Sequence, residues 1–158
     1  MSDAKKEESY IELVGNLNAL LVDETDFIAN LANASSLIHQ AFGHHWVGFY
    51  RVMNDELVLG PFQGPVACTR IKYGKGVCGK AWEQKETMLV DDVHQFPGHI
   101  ACSEFSNSEI VVPIIVKDAV IAVLDIDSVG FAAFDKIDKL FLEEICRILS
   151  DSCEREKP

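Results

Sequence analysis

Residues Ile110–Asp127 read IVVPIIVKDAVIAVLDID. Two apolar, β-branched runs flank the polar pair Lys117–Asp118, a pattern that predicts an antiparallel hairpin. The second run closes on Asp125 and Asp127, which share a face at the two-residue period of a strand. Carboxylates in so apolar a strand are costly unless they are hydrogen-bonded, paired or used. The plainer alternative is a solvated strand end at which they cap a turn. Glu109 begins the first strand of the same hairpin. Pro113 places that strand near a sheet edge or a bulge.

A second hairpin lies upstream. Trp46–Met53 (WVGFYRVM) is apolar, Asn54–Asp55 forms a turn and ELVLG continues as the partner. Gly60–Pro65 then reads as loop. Short strands are predicted at Ala67–Ile71 and Thr87–Val90, with a short helix at Gly76–Gln84 between them. Asp91–Ser108 has no period and contains Pro97 and Gly98. A loop of that length in a compact domain is usually functional.

Helical spacing relates Tyr10, Leu13, Val14, Leu17, Leu20 and Leu21, and again Phe27, Leu31, Ala34, Ile38, Ala41 and Phe42. Thr25 and Asp26 supply a start for the second helix and Gly43 a stop. Asp135–Cys153 is a third amphipathic helix, with Ile137, Leu140, Phe141, Ile145, Ile148 and Leu149 predicted inward. Helices at both ends and hairpins between them predict an α+β fold with an antiparallel sheet. The expected organisation is one domain over 1–158, with a helical segment at 5–42, sheet and site loops at 46–130 and a closing helix at 135–153.

The chain has 158 residues, 48% of them hydrophobic, and a formal charge of −11. That charge argues against nucleic acid, because neutralising phosphates needs clustered Lys and Arg. It also opposes anionic membranes. The polar start MSDAKKEESY has no signal-peptide core, so a cytoplasmic location is expected. Five cysteines cannot all pair within one chain. In a reducing compartment they rest as thiols, and any disulfide is transient or catalytic.

Cys68, Cys78 and Cys102 lie among glycines, prolines and polar residues, where a thiol is accessible. Cys102 sits near His94 and His99, and a neighbouring imidazolium favours the thiolate. Arg70 is placed to do the same for Cys68. Cys146 and Cys153 follow the apolar line of Leu142 and Leu149 and read as packing residues. Either Cys68 or Cys78 would bond Cys102 only at a Cα separation of about 4.4–6.8 Å. A metal site from His94, His99 and Cys102 with Cys78, Asp91 or Asp92 matches no common zinc spacing, so none is expected. Trp46 and Tyr50, four apart on one strand, face the same way. They are either core or the wall of a small-molecule pocket. The candidate site therefore combines thiols, the carboxylates Glu109, Asp125 and Asp127, and two aromatics.

The stretches GPFQGPVACTRIKYGKGVCGKAW, DDVHQFPGHIACSEFSNSEIVVPI and AVLDIDS together resemble the free methionine-(R)-sulfoxide reductase family, enzymes built on a stand-alone GAF domain. The resemblance implies a six-stranded antiparallel sheet with helices packed on it, and a homodimer. It implies reduction of free L-methionine (R)-sulfoxide with no bound cofactor and with thioredoxin as external reductant. By motif position it implies that Cys102 attacks sulfur, that Cys68 resolves by forming a disulfide with it and that Cys78 is a third participating thiol. Glu109, Asp125 and Asp127 match the acidic substrate-site residues, and Trp46 and Tyr50 the aromatic wall. The rival expectation is a GAF module that binds a small molecule or senses oxidants without turnover, since one fold serves both roles.

Overall fold

Period-two alternation in the two hairpins becomes two chemically different faces of one sheet. The computed structural model describes residues 1–100 and 102–154. Helices α1 (Asp3–Leu21) and α2 (Phe27–Phe42) precede strands β1 (Trp46–Met53), β2 (Glu56–Gln63) and β3 (Arg70–Lys72). Helix α3 (Gly76–Gln84), strands β4 (Met88–Val90), β5 (Ser108–Val116) and β6 (Ala119–Ser128), and helix α4 (Lys136–Glu154) follow. The sheet order is β3-β2-β1-β6-β5-β4, and every neighbouring pair is antiparallel.

Both hairpin turns carry two residues at positive φ: Asn54 and Asp55 at 49° and 65°, Lys117 and Asp118 at 49° and 65°. Such turns match the right-handed twist of paired strands. Asp26 caps α2 through a 2.8 Å bond from the Ala29 N–H, and Gly43 ends it in the left-handed region. At the start of α4, the Asp135 carboxylate accepts from the backbone of Ile137 and Asp138, while Asp138 accepts from the N–H of Asp135. The same Asp138 accepts from Tyr10 at 2.7 Å and Lys6 at 2.7 Å, which fixes α1 against α4.

Val47 and Phe49 of β1, Ile110, Val112 and Ile114 of β5, and Ala122, Leu124 and Ile126 of β6 share one core cluster with residues of α1, α2 and α4. The residues between them, Trp46, Tyr50, Val111 and Val123, belong to a second cluster with Val77, Cys78 and Ala81 of α3. A shift of one residue along any strand crosses from one face to the other.

Several local expectations are corrected. Gly60–Pro65 is strand as far as Gln63. The β1–β2 register slips between Gly48 and Tyr50, so Gly60 and Pro61 are taken up by a bulge where neither need complete the ladder. The next strand begins at Arg70, not Ala67, and β4 at Met88, not Thr87. A short 3-10 turn at Val93–Gln95 interrupts the long loop. Pro113 lies beyond the last β4 partner, Val111, where β5 has an open side, and a register shift follows at Ile114/Ile115. Leu20 and Leu140, predicted inward, are exposed. On α4, Ile145 and Leu149 are buried and Ile137, Phe141 and Ile148 pack against the core as expected, while the buried stripe also takes in Asp138, Leu142, Cys146 and Ser152, with the capping network turning Asp138 inward.

Candidate active site

The strand register builds the site rung by rung. Trp46 of β1 pairs with Asp127 of β6, which pairs with Glu109 of β5. On the next rung Gly48 pairs with Asp125, and Asp125 with Val111. Three carboxylates from the adjacent strands β5 and β6 thus converge on the α3 face, beside Trp46 of β1, and Glu109 and Asp125 are buried. They line one pocket with Trp46, Tyr50, Cys78, His99 and Cys102.

Gly48 permits the aromatic wall. A Cβ there would collide with the Trp46 ring and with Phe62, so only glycine lets the indole fold over its own strand. The indole stacks on Phe62 at 5.3 Å and on Tyr50 at 5.9 Å. A Cβ on Gly64 would meet Trp46 Cδ1 at 2.8 Å, so a second glycine borders the same ring.

Burial dominates the electrostatics. Glu109 and Asp127 are pushed well above the usual carboxylate range, first by desolvation and then by the neighbouring Asp125 charge. Asp125 is raised to about 6, by desolvation opposed by hydrogen bonds from its neighbours. Its Oδ1 is buried with no hydrogen-bond partner. The cluster therefore holds protons at neutral pH and keeps one ionised oxygen without a donor.

Cys68 and Cys102 form a disulfide at the pocket, with Cα atoms 5.4 Å apart. Cys78 differs from the accessible loop thiol expected. It is buried in α3, its Sγ lies 3.9 Å from Glu109 Oε1, and burial beside carboxylates pushes its pKa well up. It rests as a thiol rather than a thiolate.

The histidines also correct the expectation. His99 reaches the pocket, 3.9 Å from Glu109 Oε2, but burial lowers its pKa, so it is neutral rather than an imidazolium. His94 bonds Asn107 at 3.0 Å and does not line the pocket. Arg70 is exposed and pairs with Glu56 at 3.4 Å. The metal set built on His94 is not assembled. Among the described residues, Cys78, Glu109 and Asp125 have ligand atoms within 4.8 Å of one another.

Sequence reasoning missed His45, Lys75, Ser103 and Ser106, which also line the pocket. His45 bonds Ser103 at 3.2 Å, and Ser106 hydrogen-bonds Asp127. His45 directly precedes β1, which carries Trp46 and Tyr50, a usable signal. The serines belong to an aperiodic loop and carry none.

The sheet order and the pocket on its α3 side are those of a GAF domain, and residues 23–152 match the GAF-domain family model. The chain is 48% identical to the free methionine-R-sulfoxide reductase of Escherichia coli, over 89% of this chain and 86% of that one. It is 45% identical to the enzyme of the same name from Saccharomyces cerevisiae, over 96% and 89%. The X-ray structure of free methionine-R-sulfoxide reductase from Neisseria meningitidis in complex with its substrate superposes with a TM-score of 0.94, at 49% identity, covering 99% of this chain and 93% of that one. The chain belongs to the free methionine-R-sulfoxide reductase family of GAF-domain proteins.

Proposed function

We propose that the protein reduces free L-methionine (R)-sulfoxide to L-methionine. The observation that carries this reading is the Cys68–Cys102 pair beside a pocket with two buried carboxylates, a half-buried third and an aromatic wall. The similarity to reductases of that name supports the substrate.

An external dithiol, thioredoxin in this reading, first opens the disulfide. Cys102 thiolate then attacks the sulfoxide sulfur. Sulfoxide oxygen leaves poorly unless protonated, and Glu109, held protonated by burial, supplies the proton. The sulfoxide is reduced to the thioether, and its oxygen passes to Cys102 as a sulfenic acid. Cys68 thiol condenses with that sulfenic acid, forming the S–S bond and releasing water. Asp125 pairs with the substrate ammonium through its unpartnered oxygen. Trp46 and Tyr50 pack on the methyl end. A homodimer, carried over from the family resemblance, and a cytoplasmic location are part of the same reading.

The test is NADPH consumption coupled through thioredoxin and thioredoxin reductase. Free methionine (R)-sulfoxide is expected to turn over, and the (S) epimer and N-acetylated forms to react poorly. Equal rates on N-acetylated substrate would remove the ammonium from recognition. Absence of turnover with the free (R) form would leave a binding module.

A further inference from the structure

The aromatic wall does more than line a pocket. Between β2 and β3 the chain crosses the mouth as an irregular strap, Gly64–Thr69, that carries Cys68. The Leu59 N–H ties the strap's last carbonyl, Thr69, to β2 at 3.0 Å, and two side chains of the wall hold the part before it. The Trp46 indole N–H donates to the Pro65 carbonyl at 3.1 Å, and the Tyr50 hydroxyl to the Cys68 carbonyl at 2.9 Å. Both donors stand on β1, the strand flanked by β2 and β6 near the middle of the sheet. Tyr50 is buried, and desolvation beside Asp125 raises its pKa, so the hydroxyl keeps its proton throughout the working pH range. Pro65 and Val66 are exposed and lend the strap little packing of their own.

We propose that the Tyr50 hydroxyl is a positioning residue for Cys68: by holding the Cys68 carbonyl it keeps that sulfur within bonding reach of Cys102, with Trp46 fixing the strap three residues upstream. The inference rests on the reading that Cys68 closes on Cys102. It makes the ring that contacts substrate also the anchor of the thiol that completes the cycle. The step served is Cys102–SOH plus Cys68–SH giving Cys102–S–S–Cys68 and water. Loosening the strap lowers the effective concentration of one thiol at the other, which weakens the disulfide and slows its closure.

The test is a redox titration of Tyr50→Phe against mixtures of reduced and oxidised dithiothreitol, with Cys68–Cys102 quantified by alkylation and peptide mapping. Losing one hydrogen bond is expected to make the disulfide about fivefold easier to reduce. A trap for sulfenic acid, dimedone, is expected to label Cys102 more heavily in the same variant after one turnover. Trp46→Phe shifts the titration in the same direction. Tyr10→Phe, which loses a more deeply buried bond to Asp138, controls for general destabilisation and leaves the titration unchanged. A wild-type titration in Tyr50→Phe, or an equal shift in Tyr10→Phe, overturns the inference. Failure of the wild-type protein to form methionine would overturn the proposed function instead, and the titration reads out independently of it.

Discussion

The two faces of one sheet, built from the same strands, obey opposite rules. On the helix side, Leu124 and Ile126 of β6 are sealed among apolar side chains of α1, α2 and α4. On the α3 side, Asp125 and Asp127 alternate with them, and one buried oxygen lacks a donor. Burying apolar area stabilises by about 25 cal/mol per Å², whereas an unpaired buried polar group costs about 1–3 kcal/mol. The helix face therefore holds the molecule together, and the α3 face spends part of that stability to keep charge where a ligand is needed.

The sharpest way to break this division is at the thiols. Cys102→Ser is expected to reduce methionine formation to background in a single turnover without external reductant, with the thermal midpoint of the reduced protein little changed. A normal single turnover would move the attack to another residue.

Glu109→Gln removes the proposed proton donor and is expected to lower the rate of sulfur reduction by about 10²–10⁴. Asp125→Asn is expected mainly to raise the substrate concentration needed. Single-turnover kinetics on both variants assigns the roles, and an unchanged rate in Glu109→Gln would shift the proton to Asp127.

On the opposite face, Leu124→Ala is expected to cost about 2–5 kcal/mol in denaturant unfolding. The folded fraction should keep its chemistry, so a comparable loss of rate per folded molecule would dissolve the distinction between the faces.

The pH dependence of stability follows from the carboxylates. Asp125 is raised from 3.8 to about 6, so the folded state holds its proton more tightly than the unfolded chain. Its contribution is complete below pH 4 and is lost as pH rises towards and through 6, on the order of 3 kcal/mol. Glu109 and Asp127, raised further, extend the decline to higher pH. Unfolding titrations of wild type and Asp125→Asn should differ in slope over that window, and parallel curves would show that the charge is compensated.

Cys146→Ala is the smallest expected change. Cys146 is buried on the helix face with its Sγ 3.9 Å from the Val112 carbonyl, and its loss should cost about 1 kcal/mol with turnover intact. Lost turnover in a stable variant would make it more than packing.

Both hairpins, both pairs of turn residues and the shared face of Asp125 and Asp127 were legible in the sequence, because strand parity and two-residue turns are local. The start of α2 at Asp26 and its end at Gly43 were legible for the same reason. Gly60–Pro61 misled because a bulge absorbs what composition reads as a loop. Leu140 misled because helical spacing allows several stripes, and the Asp138 network, formed with Lys6 and Tyr10 of a distant helix, chose among them. Residue types and family motif named the thiols, carboxylates and aromatics. The family resemblance implied the Cys68–Cys102 bond that the structure contains, whereas only the tertiary structure decided that Cys78 is buried, that His99 is neutral and that His94 lies elsewhere. Those outcomes depend on which loop crosses which strand and on how much water each group loses, and neither is a property of neighbouring residues in the chain.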